Sequence, residues 1–263
     1  MSTGNQNVSD RRETETAEAA HWDSVANRHR EAFVARERQT TNDPLHDAHI
    51  NAMGDIGDDL VLDLGCGMGL WATEYAAAGA RVVALDVSSA SVATTRERAR
   101  RLGLEDRLLP VVASAHALPF RHRTFHAVSG HLILHHLDAE TAGRELARIL
   151  QPNGKAVFTE NSARSGILMF ARRFLCGRFG IPKWSTPDEY PLRKSDVVAL
   201  TRPFATMEAL YPKFDWFFLL NAKLFGFRNN RMNRLCGWLD RTIPAILPFL
   251  RRYAYYQVLI LRR

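Results

Sequence analysis

Cysteine is scarce in this chain. There are three in 263 residues, Cys66, Cys176 and Cys236, odd in number and far apart. This argues against a disulfide framework and for a reducing, cytoplasmic setting. No Cys-x-x-Cys pair occurs. His135 and His136 are adjacent and so point apart, while His122 and His126 fall in a loop-to-strand stretch. No metal site is therefore expected. No apolar run reaches the roughly 18 residues that a membrane span needs. The N-terminus is polar, without the apolar stretch of a secretory leader, so none is expected. There is no internal repeat.

Negative charge is thin in one region only. Residues 1–50 carry a net charge of −3 and residues 51–160 a net charge of −2, whereas residues 161–263 hold 18 Lys+Arg against 6 Asp+Glu. The whole chain is +7, so the excess lies in its last part. There the basic residues are interleaved with Leu and Phe rather than set on a polar face, which argues against nucleic acid as a partner. The hydrophobic fraction of 46% is that of a globular protein, and the length is ample for one large α/β domain.

A third glycine is also missing where the dinucleotide fingerprint G-x-G-x-x-G would place it. Counting from Gly65, the sixth position is Leu70. What stands there is L-V-L-D-L-G-C-G-M-G-L, Leu60 to Leu70, an apolar strand with Asp63 near its end and glycine at every second position of the turn. A helix-forming stretch follows. Strand, glycine turn and helix start together make an anion- and nucleotide-binding element, because the backbone can come close and helical N–H groups are free. A second apolar strand, A-R-V-V-A-L-D, ends at Asp86, placed to accept ribose hydroxyls. A third, L-L-P-V-V-A-S-A, runs into H-A-L-P-F. A fourth leads into S-G-H-L-I-L-H-H-L-D, with Asp138 as N-cap of the next helix, and K-A-V-F-T-E ends at Glu160.

This order over residues 55–161 resembles the class I S-adenosylmethionine (SAM)-dependent methyltransferases, particularly those acting on small molecules and natural products. The resemblance implies a doubly wound, mostly parallel seven-stranded sheet. It implies a SAM site formed by Asp63, Gly65, Cys66, Gly67, Gly69, Asp86, Val87, Ser114, Ala115, Gly130 and His131, with the loop amides meeting the cofactor carboxylate. It implies catalysis by His135 or His136 as base, with Glu160 as the acid that orients it. Three departures stand out: Ser114 where the family has an acid, His126 where it has aspartate, and Asn153 where it has glycine.

Outside the core, residues 1–16 read as structureless and 17–54 as a helical lid, with helices over Ala17 to Gln39 and His46 to Met53. After Glu160 the remaining core elements are a helix capped by Ser195, a strand from Thr206 to Tyr211 and a strand at the C-terminus. Two insertions, about 162–193 and 214–252, are aromatic, apolar and basic. In the second, Met232, Leu235, Cys236 and Leu239 form one helical stripe. Three uses stay open: a cap over an apolar substrate, a peripheral membrane face, or a homodimer interface. The expected activity is methyl transfer to a small, largely apolar or lipid-like acceptor, with oxygen preferred. The alternatives are a membrane-lipid methyltransferase and a SAM-binding protein without transfer.

Overall fold

The computed structural model describes residues 8–36, 43–174 and 190–263. Seven strands form one sheet in the order β3-β2-β1-β4-β5-β7-β6. They are β1 (Leu60–Leu64), β2 (Arg81–Asp86), β3 (Leu108–Val112), β4 (Phe125–His131), β5 (Leu150–Asn161), β6 (Thr206–Leu210) and β7 (Tyr256–Arg262). β1 to β5 pair in parallel, and β7 runs antiparallel to both β5 and β6. This is a doubly wound, mostly parallel sheet, and it puts the ends of β1, β2, β4, β5 and β6 along one edge.

The alternation of side chains divides each strand between two cores. Leu62, Leu64, Leu85 and Val128 pack under α5 (Ala139–Ile149) and α7 (Lys194–Thr201). Val61, Val82, Ala84 and Val157 pack under α2 (Pro44–Met53), α3 (Leu70–Ala77) and α4 (Ser89–Arg101). Both faces are covered, which is why the parallel strands are apolar throughout. α5 can lie close to α7 because residue 143 is glycine; a Cβ there would run into the Leu200 carbonyl. Asp138 caps α5 by accepting from Thr141 N at 2.9 Å.

The first helix, α1 (Val8–Ala35), is longer than the sequence suggests. Residues 8–16, read above as structureless, are helical, and residues 1–7 lie outside the described ones. Tertiary partners hold this helix where its own periodicity is weak. Asp23 accepts from Ser88 Oγ at 2.6 Å and Ala90 N at 2.9 Å. At the other end Arg98, itself buried, donates to the Phe33 and Arg36 carbonyls at 2.6 and 2.5 Å, and Arg101 to that of Val34 at 2.8 Å. These cations sit where orphan carbonyls and the negative helix end favour them.

Two further expectations are corrected. The N-cap of α7 is Arg193, not Ser195; Asp196 Oδ2 accepts from Arg193 N at 2.8 Å, and the Ser195 hydroxyl turns to Asp196 instead. The second insertion folds into α8 (Trp216–Leu224), α9 (Asn230–Ile246) and a 3₁₀ turn over Pro248–Tyr253. On α9 Cys236 is buried but Leu235 points outward, because among the described residues α9 packs mainly against α8 and the turn that follows. The first insertion begins with α6 (Gly166–Phe174); Cys176 and the rest of 175–189 lie outside the described residues.

Candidate functional site

The three glycines after β1 have two different duties. Gly65, Gly67 and Gly69 all have positive φ (68°, 50° and 77°), which costs a residue with a Cβ. A Cβ at Gly65 would meet Ile133 at 2.8 Å and one at Gly69 would meet Thr95 at 2.7 Å, so these two let neighbouring elements close in. A Cβ at Gly67 would meet nothing within 4 Å. Gly67 is the open point of the loop, and it lines the cavity.

The loop amides are not available to a ligand in the way expected. Gly65 N and Cys66 N both donate to the Leu85 carbonyl, at 2.8 and 3.0 Å, and Gly69 N donates to the Cys66 carbonyl at 3.0 Å. Gly67 N donates to Asp86 Oδ2 at 2.8 Å. The loop is thus tied to the end of β2, and its own hydrogen bonds give it its shape before any ligand arrives.

Two carboxylates flank this loop. Asp86 lines the cavity and also accepts from Ser88 N at 2.9 Å; burial raises its pKa against those hydrogen bonds. Asp63 is buried under the start of α3, and burial, with the nearby Asp86 charge, pushes its carboxyl up to about 7. Its Oδ2 has no hydrogen-bond partner among the described residues. A buried carboxylate oxygen left unpaired costs free energy unless a donor reaches it. An amino-acid ammonium and a ribose diol are the groups that this pair of acids would satisfy, so the residues present fit SAM.

The cavity is about 300 Å³ and opens beside α1. Gly65, Cys66, Gly67, Asp86, Val87, Ala115, His131 and His136 line it, with Trp22 and Glu18 from α1. Asp63, Gly69, Ser114, Gly130, His135 and Glu160 are not among its lining residues. Ser114 is a turn residue, accepting from His116 N at 3.1 Å. Gly130 is a packing glycine, since a Cβ there would meet Phe158 at 2.6 Å. Burial pushes the Cys66 thiol up, which keeps it from being a nucleophile. His126, the other departure, accepts from Leu60 N at 3.0 Å at the far end of β1.

At the ends of β4 and β5 the acid and the two histidines separate in role. Glu160 is fully buried. Its Oε1 accepts from Ile133 N at 2.7 Å and Leu134 N at 2.6 Å, and its Oε2 pairs with His135 Nδ1 at 2.8 Å. It fixes the 3₁₀ turn Leu134–His136, which follows Leu132 in a left-handed conformation (φ 55°) that leucine rarely adopts. His136 faces the cavity, and its Nδ1 lies 2.9 Å from Glu18 Oε1 on α1. A carboxylate only accepts, so Nδ1 carries the hydrogen, which leaves Nε2 as the ring position open to exchange a proton with a ligand.

Sequence reasoning missed the aromatic stack beneath the cavity. His131 lies face to face with Trp71, ring centroids 3.5 Å apart at 11°, and His46 stacks on Trp71 at 4.8 Å. His49 lies 4.0 Å from His131 and is buried, its Nδ1 bonded to Thr159 Oγ1 at 2.8 Å and its Nε2 to Ser129 Oγ at 3.0 Å. Tyr75 joins that network, 2.7 Å from Ser129 Oγ. Burial lowers the pKa of His49 to about 3 and that of His131 well below the usual imidazole range, so both rings are neutral. His131 Nε2 is buried without a hydrogen-bond partner among the described residues. The spacing of His46 and His49 on one face of α2 was the only signal in the sequence.

Among the described residues no group of three or more His, Cys, Asp or Glu could hold a metal ion, and no helix is long and apolar enough to cross a membrane.

A family model described as a methyltransferase domain matches residues 61–154. The chain is 31% identical over 170 residues to methyltransferase GfsG of Streptomyces halstedii, covering 59% of this chain and 60% of that protein. It is 36% identical over 116 residues to a demethylmenaquinone methyltransferase of Clavibacter sepedonicus, covering 44% and 46%. It is 30% identical over 166 residues to 27-O-demethylrifamycin SV methyltransferase of Amycolatopsis mediterranei, covering 57% and 61%. The chain thus spans about half to three fifths of these relatives. Among solved structures it is similar to geranyl diphosphate C-methyltransferase of Streptomyces coelicolor (TM-score 0.54, 16% identity, 82% of this chain and 76% of that one). It is also similar to the cyclase SpnF (TM-score 0.55, 20% identity, 87% and 84%). One neighbour methylates and one cyclises, so the fold they share does not choose the chemistry.

Proposed function

We propose that this chain, whose core is a class I SAM-dependent methyltransferase domain, transfers the methyl group of SAM to an oxygen of a small, largely apolar acceptor. One observation carries the reading. A single cavity has the Gly67–Asp86 cofactor loop at one end and, at the other, a histidine held by a carboxylate. Names among the relatives support a small-molecule acceptor, since they methylate rifamycin and menaquinone precursors by their names.

Bound there, SAM supplies an already activated methyl group, so the protein's task is to align donor and acceptor and exclude water. Alignment contributes on the order of 7–11 kcal/mol. Asp86, which lines the cavity, would hold the ribose diol, and Asp63, buried behind the loop, would balance the charge of the ammonium. Trp71 and the neutral His131 form a stiff wall that adds no positive charge near a sulfonium. His136 accepts the acceptor hydroxyl's proton on Nε2, and Glu18 holds its ring; such a base contributes roughly 10²–10⁴-fold. His135 and Glu160 act behind it as positioning residues, by fixing the turn that carries His136.

The test is incubation with methyl-labelled SAM and a panel of hydroxylated apolar compounds. The expected result is a labelled product with stoichiometric S-adenosylhomocysteine, strongly reduced in His136→Gln. Tight cofactor binding with no transfer to any acceptor would overturn the reading.

A further inference from the structure

Residues 211–252 carry an unusual division of charge. Their only two acids, Asp215 and Asp240, are both turned inward. Asp215 is buried with Lys213 at 3.4 Å, and Asp240 accepts from Phe217 N and Phe218 N at 3.0 and 2.7 Å, capping α8. The arginines are turned outward. Arg231, Arg234 and Arg241 lie along one exposed stripe of α9, at spacings of three and seven residues, and Leu235 and Trp238 share that stripe. Trp238 is 53% exposed. At the end of the helix Ile246 is 71% exposed, and in the turn beyond it Phe249 is 57% exposed, followed by the exposed Arg251 and Arg252.

Exposed Trp, Ile and Phe side chains along one segment are costly in water, at roughly 25 cal/mol per Å², and exposed apolar surface of this kind marks contact sites. The interleaved arginines say which contact. A nucleic acid would want the basic residues on a polar face. An anionic bilayer surface takes both kinds at once, arginines at the phosphates and Trp, Leu, Ile and Phe below them. The placement is also informative. β5 and β6 both pair antiparallel with β7, with Glu160 opposite Gln257 and Leu210 opposite Val258. The segment therefore leaves the sheet and returns to it at the edge where the cavity lies.

We propose that the outer stripe of α9 and the turn after it dock the protein on an anionic lipid bilayer, at the sheet edge that carries the cavity. The docking stands on this surface alone; that it brings an apolar acceptor from the membrane to the cavity rests on the methyl-transfer reading.

The test is co-sedimentation of the full chain with vesicles of phosphatidylcholine alone and of phosphatidylcholine mixed with phosphatidylglycerol. Partitioning into the mixed vesicles, absent from the neutral ones and weakened by salt, is expected. The double variant Arg231→Glu, Arg234→Glu should bind roughly thirtyfold more weakly, at about 1 kcal/mol per basic residue. Trp238→Ser should also release the protein. All three side chains are exposed, so melting temperature and calorimetric S-adenosylhomocysteine binding should be unchanged. No binding to anionic vesicles, or equal binding by the variants, would overturn the proposal. So would concentration-dependent self-association in size-exclusion chromatography that Trp238→Ser abolishes, because the face would then belong to a second copy. Vesicle binding by a chain that takes up no S-adenosylhomocysteine would leave the docking standing and remove the catalytic reading.

Discussion

Glu18 on the first helix and His136 after the fourth strand meet across the cavity, Oε1 to Nδ1 at 2.9 Å. The helix that covers the site thereby also supplies the partner of its candidate base. His136→Gln is expected to lower kcat by roughly 10²–10⁴-fold with little change in cofactor affinity. Glu18→Gln should lower kcat less, since the ring loses its holder but keeps its lone pair. Single-turnover rates and calorimetric Kd values for both variants check this. An equal loss of cofactor binding would make the pair a structural latch only.

Asp63 is pushed up to about 7 without a cation beside it. Its ionised form is the one that pairs with an ammonium, so cofactor affinity should weaken as pH falls below about 7. Stability runs the other way. A raised carboxyl stabilises the fold fully below its ordinary value, and that contribution is lost as pH rises through about 7. Asp63→Asn should therefore melt higher than the natural protein at pH 8 in the absence of cofactor, while losing roughly 10–100-fold in cofactor affinity. Thermal melts and titrations on one preparation separate the two effects.

The loop glycines should fail in different ways. Gly69→Ala puts a methyl 2.7 Å from Thr95 in a left-handed conformation and is expected to cost about 2–5 kcal/mol of stability. Gly67→Ala meets nothing and should cost only about 1–2 kcal/mol, the conformational part. It should still weaken the cofactor, because the methyl projects toward the cavity. Urea unfolding and cofactor titration of the pair check this.

His49 is held neutral, its pKa lowered from 6.5 to about 3 by burial. A lowered imidazole contributes stability that is present above its unfolded value and is lost as pH falls. Between about 6.5 and 3 the natural protein should lose up to ~1.4 kcal/mol per pH unit from this group. His49→Gln should flatten that slope whatever its absolute stability. His131 acts in the same direction, and because His49 is one of the causes that lower its pKa, the difference reports the two rings together; Asp63, which acts in the opposite direction, is common to both proteins. Denaturant curves at a series of pH values measure it.

The strand–glycine–helix unit, Asp86 and the order of the five parallel strands were legible because each is local, a period of two or a turn with its own chemistry. What escaped depends on contacts between distant segments. Glu18 and His136 are 118 positions apart, and Thr159 and His49 are 110 apart, so no window along the chain pairs them. Helix α1 was expected from Ala17 but is already helical at Val8, the first described residue, because partners on α4 and beyond β4 hold it. The acid at the end of β5 was legible as a residue and not as a role. Glu160 spends its oxygens on two backbone amides and His135, and whether a carboxylate faces a cavity or a turn is decided by packing.

Titration calorimetry with S-adenosylhomocysteine bears most directly on the centre of all this, the claim that the loop from Asp63 to Gly69 and Asp86 hold that cofactor. Single-site binding is expected for the natural protein, with binding lost in Asp86→Ala while the variant still melts cooperatively. No heat of binding from the folded natural protein, or undiminished binding by Asp86→Ala, would contradict it.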